Sequence, residues 1–210
     1  MITVACVLRK GGKVGYDASW VEKLQNSVTR NLTIPHRFVC FSDCDIPCER
    51  IPLQYNGLGF WSKIELFRPG VLTGPVLYID LDTVICNNFD QVVNQLIDQK
   101  FVMLHETDKN VVSSAILWWH GDQSHLWNLW LTKSSTEWKD QYCTMPRYGD
   151  QAFIEDNSNH TLLHHYVPLE WIGWSSQRII DPTIKFLIFR KPSQKPSTML
   201  THQLVQQHWR

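Results

Sequence analysis

Four apolar residues, Val76-Leu77-Tyr78-Ile79, run without a break into Asp80-Leu81-Asp82. An apolar run of that length reads as a strand buried on both faces, which needs strands on either side and helices over it. Two carboxylates one residue apart at its end are costly to desolvate unless a cation meets them. A hard divalent ion such as Mg²⁺ or Mn²⁺ suits an oxygen-only pair and is often shared with a phosphate ligand. The plainer reading is a solvated turn after a strand, where Asp is common.

The rest of the chain supplies neighbours for such a strand. Residues 2–8 and 36–42 are strand-like, the second ending at Asp43. Between them Asp17 caps a helix whose apolar positions Trp20, Val21, Leu24 and Val28 recur at three and four. Residues 59–67 read as helical, stopped by Pro69 and Gly70, and a short helix is expected near 89–98. Strands are expected at 101–105 and 112–119, a helix from Asp122 to about 133, another at 149–156, and an extended segment at 161–167. From Pro168 the pattern is irregular, apart from an apolar run at 186–189. Residues 191–198 read as a polar linker and 199–209 as a last helix. The alternation predicts a single α/β Rossmann-like domain over 1–190, with a mostly parallel central sheet and helices on both faces. Residues 191–210 are expected to be a linker and C-terminal helix packing on it. Ligands in such sheets bind beyond the carboxyl ends of the strands, which lines up Arg9, Lys10, Asp43, Asp80, Asp82 and His105 to Thr107 along one edge.

Composition removes several classes. Lys plus Arg and Asp plus Glu are 20 each, so no general attraction to nucleic acid or an anionic membrane follows. With 43% hydrophobic and 19% charged residues the chain is not a disordered protein. No stretch approaches a membrane span, and the start reads as a first strand rather than a secretion signal. A cytoplasmic location is therefore expected, the host's cytoplasm if the chain is phage-encoded. The six cysteines read as free thiols, since Cys40, Cys44 and Cys48 lack the two-residue spacing of zinc knuckles. His160, His164 and His165 read as ordinary surface or core histidines. Ten Trp, some beside polar residues as in 170–176, offer flat faces suited to sugar rings as well as to a core.

The stretch GFWSKIELFRPGVLTGPVLYIDLDTVI resembles the core of glycosyltransferases with the A-type nucleotide-sugar-binding fold, especially relatives of the glycogenin-like family 8. Three further pieces match in order: Phe41-Ser42-Asp43, Val112-Ser113-Ser114-Ala115-Ile116 and Tyr148-Gly149-Asp150-Gln151. Together they cover most of residues 2–157, and the small size resembles versions carried by bacteria and large phages. The resemblance implies a metal-dependent enzyme that moves a hexose from a UDP-sugar, UDP-glucose or UDP-galactose, to a hydroxyl acceptor. Asp82 would ligate Mn²⁺ or Mg²⁺ and Asp80 would reach the ribose, the metal or both. Asp43 would meet the uracil, Ser113 and Ser114 the donor sugar, and Arg9, Lys13 and Tyr16 the nucleotide. Lys63 would add positive charge near Asp80 or the phosphates, unless it is an exposed helix lysine. Gln151 would sit under the anomeric carbon of a retaining enzyme, the favoured outcome; in an inverting one Asp150 would be the base, and it can also be read as a helix cap. Where relatives carry a metal-binding His, this chain has Arg190: either the metal takes a water or another residue there, with His202 and His208 as nearby alternatives, or Arg190 itself offsets diphosphate charge. Acceptor recognition is expected around Trp171, Trp174 and Arg178, with plain packing the alternative for both Trp.

Two rival readings remain at this level. Asp80-x-Asp82 after an apolar strand also resembles the nucleophile motif of haloacid-dehalogenase-type phosphatases, and Gly149-Asp150 with Glu155 resembles their late acidic motif. That strand normally opens such a domain, whereas two strands precede it here. The other rival is a nucleotide-sugar- or carbohydrate-binding protein with weak or lost catalysis.

Overall fold

A computed structural model of the chain describes residues 1–11, 15–55, 59–106, 110–144, 148–177, 180–189, 194–199 and 202–210. In chain order the first half runs β1 (Ile2–Leu8), α1 (Ala18–Asn31), β2 (His36–Ser42), β3 (Glu49–Pro52), a 3₁₀ stretch (Gly59–Phe67), β4 (Pro75–Ile79), β5 (Val84–Ile85) and α2 (Asp90–Leu96). The second half runs β6 (Phe101–Glu106), β7 (Val111–His120), α3 (Ser124–Trp130), α4 (Ser135–Tyr142), α5 (Gly149–Asn157), β8 (Thr161–Leu162), β9 (Ile172–Trp174), β10 (Phe186–Ile188) and α6 (Gln203–His208).

The central sheet has seven strands in the order β3-β2-β1-β4-β7-β6-β8. All pairings are parallel except those of β7, which runs against both β4 and β6. The carboxyl ends of β1, β2, β4 and β6 therefore share an edge with the start of β7. A second sheet, β5-β10-β9, carries the chain onward from the Asp-x-Asp turn.

Strand alternation divides the core into two layers. Ile2, Val4, Cys6 and Leu8 of β1 and Leu77 and Ile79 of β4 pack with Trp20, Val21, Leu24 and Val28 of α1 and with Val92, Val93 and Leu96 of α2. On the opposite face Val76 and Tyr78 of β4 pack with the 3₁₀ stretch and α3 to α5. That second layer is aromatic: the Trp61 and Trp130 rings lie 4.6 Å apart, and Trp138 and Phe153 5.0 Å apart. Seven of the ten Trp are buried, so the high Trp content is mainly core and not a run of exposed sugar platforms.

Asp17 caps α1 as its position predicts, its carboxylate accepting from the Ser19 amide at 2.9 Å. Other boundaries differ from expectation. The helix expected from Asp122 to 133 ends at Trp130, and a separate α4 follows because Ser134 and Glu137 form a reciprocal capping box. Only Thr161 and Leu162 of 161–167 are strand; Leu163–His165 turns into 3₁₀. The segment after Pro168 contains β9, three residues whose strand is specified by β10 beside it rather than by local pattern. The last helix is shorter than 199–209 and lies against α1, with Trp209 edge-on to Trp20 at 4.9 Å. No helix among the described residues is long and apolar enough to cross a membrane.

Candidate active site

Lys63 is the centre of the edge. It belongs to the 3₁₀ stretch, is 6% exposed, and is not the exposed helix lysine its charge alone would suggest. Its ammonium lies 3.1 Å from Asp80 Oδ1 and 2.9 Å from Asp150 Oδ2, and donates to Ser114 Oγ at 2.8 Å and to the Ser114 carbonyl at 3.2 Å. Ser114 Oγ in turn donates to Asp150 Oδ2 at 2.6 Å, and the Tyr78 hydroxyl donates to Asp80 Oδ1. Burial alone would push the Lys63 ammonium down, but Asp150 and Asp80 outweigh it and hold its pKa above the ordinary lysine value. Burial, reinforced by the Asp80 charge, raises Tyr78 well above an ordinary phenol, so it remains a donor.

Four segments meet here for identifiable reasons. β4 delivers Asp80 at its end, and the Asp80 amide donates to the Ala115 carbonyl of β7 at 2.9 Å. The β6–β7 register jumps between Met103, opposite Leu117, and Leu104, opposite Ser113. The bulge this leaves at 114–116 puts Ser114 beside Lys63. Gly149, at φ +68°, opens α5 under the Phe60 ring, and a Cβ there would lie 2.5 Å from Phe60 Cε2. This close turn delivers Asp150. Tyr148, not Asp150, occupies the cap position, and the Asp150 carboxylate is spent on Lys63 and Ser114, which corrects the capping alternative. Gln151, the next residue on α5, is half-buried.

Asp82 sits at the same turn with a second set of partners. Its Oδ2 accepts from Tyr16 Oη at 2.8 Å and from Lys195 Nζ, which also donates to the Phe189 carbonyl at 3.3 Å. Burial, opposed by the Lys195 charge, pushes the Asp82 carboxyl up. Burial and the Asp82 charge likewise raise the Tyr16 phenol. Lys195 was hidden from the sequence within a polar Pro-containing segment that reads as a linker; the Lys-Pro pair was its only signal. Tyr78 was missed too, counted as one of four apolar strand residues although its hydroxyl reaches Asp80.

The donor set admits a hard divalent ion. Both side chains offer oxygen only, and the hydrogen bonds from described residues fall on Asp80 Oδ1 and Asp82 Oδ2, leaving Asp80 Oδ2 and Asp82 Oδ1 open. Among the described residues no third His, Cys, Asp or Glu joins them, His202 and His208 included. An ion held here would take two protein carboxylates and complete its shell from water or a phosphate ligand.

Toward the far end of the edge, Arg9 bridges the 3₁₀ stretch and β2. Its Nε donates to Ser62 Oγ at 2.6 Å, and its Nη groups reach the Tyr55 carbonyl, Glu65 Oε1 at 3.7 Å and Asp43 Oδ2 at 3.5 Å. Asp43 Oδ1 also accepts from the Lys10 amide at 2.9 Å. A shallow cavity of about 500 Å³ opens over Lys10, Asp43, Cys44 and Arg50. Thus Arg9, Tyr16, Asp43, Lys63, Asp80, Asp82, Ser113, Ser114 and Asp150 all lie along the carboxyl-end edge. Trp174 is buried at 6% exposure, so it packs; Trp171 is partly exposed under the Lys185 ammonium, 4.9 Å from its ring centre. Lys13, Arg178, Arg190 and Thr107 lie outside the described residues.

No protein-family model matches the sequence, and no curated protein matches it in a sequence search. Comparison of the fold does find relatives. An active-site mutant of LgtC superposes with a TM-score of 0.59 at 10% identity, over 98% of this chain and 96% of that one. The galactosyltransferase LgtC in complex with donor and acceptor sugar analogues gives 0.55 over the same shares. The glycosyltransferase GlyE of Streptococcus pneumoniae gives 0.65 at 10% identity, over 93% of this chain and 56% of GlyE. The bifunctional glycosyltransferase WbbM gives 0.61 at 11%, over 93% of this chain and 46% of WbbM. The likeness carries the fold and does not single out the glycogenin-like family: the chain has the A-type glycosyltransferase fold, built on a seven-stranded, mostly parallel sheet.

Proposed function

We propose that the protein is a glycosyltransferase that moves a hexose from a UDP-sugar, glucose or galactose, to a hydroxyl acceptor, with Mn²⁺ or Mg²⁺ at Asp80 and Asp82. The observation that carries this reading is the convergence of Asp80, Asp82, Lys63, Ser114 and Asp150 from separate segments on the ligand-binding edge of a glycosyltransferase fold.

Each residue then has a task its surroundings support. Asp43 and Arg9, fixed to each other and, through Ser62, to the 3₁₀ stretch, would form the nucleotide end, with Tyr16 reaching in beside Asp82; the nucleotide and diphosphate roles of Lys13 and Arg190 fall on residues outside those described. The ion, when bound, would neutralise charge on the diphosphate as it leaves. Lys63 holds Asp80 and Asp150 in fixed rotamers and places a positive charge between them. Asp150 already accepts from Ser114 and faces Lys63, which suits an orienting carboxylate for sugar hydroxyls better than a general base. That supports retention, with Gln151 beside the anomeric carbon and Ser113 and Ser114 along the sugar. In this reading the C1–O bond to the diphosphate breaks, a bond to the acceptor oxygen forms, and the acceptor proton leaves with the diphosphate. The phosphatase alternative is not favoured, because the structural neighbours above are glycosyltransferases and β1, β2 and β3 all precede Asp80, whereas the nucleophile strand normally opens such a domain.

Incubation with UDP-glucose and UDP-galactose in Mn²⁺, following UDP release with and without a panel of glycoside acceptors, tests the reaction. Asp150→Asn and Gln151→Ala are expected to cut UDP release at least ~100-fold while donor binding persists. Hydrolysis of p-nitrophenyl phosphate lost in Asp80→Asn, with no UDP release by the parent, would replace this reading with the phosphatase.

A further inference from the structure

One carboxylate with no role assigned so far lies deep in the second core layer. Glu65 sits on the 3₁₀ stretch between Ile64 and Leu66 and is 1% exposed. A charge buried that far is costly unless it is paired and hydrogen-bonded. Its partners are two backbone amides and two guanidinium groups. Oε2 accepts from the Gln54 amide at 2.7 Å and lies 3.4 Å from Arg68 Nη1; Oε1 accepts from the Tyr55 amide at 3.0 Å and lies 3.7 Å from Arg9 Nη2. An apolar side chain of similar volume commonly serves a core as well as a buried ion pair does, so a fully partnered carboxylate points to whatever it orients.

What it orients is Arg9. By holding the amides of Gln54 and Tyr55, Glu65 fixes the backbone after β3 so that the Tyr55 carbonyl meets Arg9 Nη2. Arg9 Nε donates to Ser62 Oγ at 2.6 Å. A guanidinium is a planar, rigid fork, so fixing Nε and Nη2 also fixes the direction of Nη1. That third nitrogen faces Asp43 Oδ2 at 3.5 Å, while Asp43 Oδ1 accepts from the Lys10 amide at 2.9 Å. Arg68, the other guanidinium on Glu65, lies over the Phe41 ring, 5.4 Å from its centre and close before Asp43 in the chain.

The same stretch reaches the other half of the edge. Ser62 is the neighbour of Lys63, whose ammonium lies between Asp80 and Asp150. One short run of 3₁₀ backbone thus sets Arg9 on one side and the Lys63 cluster on the other. We propose that Ser62 and Glu65 are positioning residues: acting through Arg9, they aim the Asp43 carboxylate and set the affinity for the nucleotide. The nucleotide part rests on the glycosyl-transfer reading above; the aiming of Asp43 does not.

Two variants of the full chain test this: Glu65→Gln, and Ser62→Ala, which removes a single hydroxyl and leaves the Glu65 cluster intact. KM for UDP-glucose and UDP-galactose, from UDP release in Mn²⁺, is expected to rise about fivefold to tenfold in each, with kcat within about twofold. Placed on Asp43→Asn, either change should have little further effect, since both act through that carboxylate. The Lys10 amide, followed by ¹H–¹⁵N spectroscopy without nucleotide, should move upfield in both variants as its bond to Asp43 loosens, while the Ser124 amide, bonded to Asp122, stays in place. An unmoved Lys10 amide in both variants, KM effects that add to that of Asp43→Asn, or kinetic changes that only track a lost folded fraction would overturn the proposal. A parent protein that binds no UDP-sugar, with the Lys10 shift present in the variants, would remove the donor assignment and uphold the aiming of Asp43.

Discussion

Lys63 shows how a single side chain can organise a site before any ligand arrives. Its ammonium is largely taken out of water, which is tolerable because two carboxylates and a serine surround it. Removing it leaves the buried Asp150 uncompensated beside the partly exposed Asp80, so Lys63→Ala is expected to cost about 3 kcal/mol by denaturant titration. Lys63→Arg should not rescue it, because a planar fork cannot replace a point charge in this pocket. Gly149 is constrained in a different way. Its left-handed backbone and the Phe60 ring above it make Gly149→Ala destabilising by at least about 1–2 kcal/mol, again read from the denaturation midpoint. Of these residues the carboxylates were legible, because two Asp after an apolar strand are conspicuous. Lys63 was legible as a charge but not as a buried one, since no local pattern marks a 3₁₀ stretch whose polar residue turns inward. Lys195 and Tyr78 were not legible as site residues, because their meaning comes from partners 113 and 2 positions away that only the fold or the pleat reveals.

Among the elements, β7 matters most. As the strand of the central sheet that runs against its described neighbours, it brings its beginning rather than its end to the Asp-x-Asp edge, and its bulge aims Ser114 at Lys63. Sequence periodicity finds such a strand but cannot give its direction, because the side-chain alternation is the same either way. α4 was missed for a related reason: its apolar content is low, and the signal that starts it is the Ser134–Glu137 box. Ser134→Ala is expected to lower stability by about 1 kcal/mol without affecting donor binding. The segment after β10 returns to the site through Lys195 and to α1 through Trp209 and α6. Lys195 shares the Asp82 oxygen with Tyr16, so Lys195→Ala should remove the cation competing for Asp82 and tighten binding of Mn²⁺ alone several-fold by calorimetry. An unchanged or weaker Mn²⁺ affinity would mean that Asp82 is not a metal ligand.

Across the whole molecule, the arrangement of layers followed from the alternation of apolar runs with amphipathic helices, and the ligand edge followed from the layers. The second sheet did not, because three-residue strands such as β9 and β10 are specified by what they lie against. Stability should depend on pH in a direction set by the histidines. Burial lowers His164 and His208 below their ordinary value of 6.5, so below that pH the unfolded chain binds protons that the folded one refuses. Unfolding free energy should therefore fall as pH drops from about 7.5 to 5.5. His164→Gln should flatten that slope in chemical denaturation series.

Asp80 and Asp82 are proposed to face a nucleotide-sugar and its metal. Calorimetric titration of the protein with UDP-glucose and UDP-galactose, with and without Mn²⁺, alongside Asp82→Asn, reads this out. Binding of a UDP-sugar that requires Mn²⁺ and is lost in the variant, with its fold intact, is the expected result. A folded protein that binds neither nucleotide-sugar, with or without the ion, would overturn the proposal.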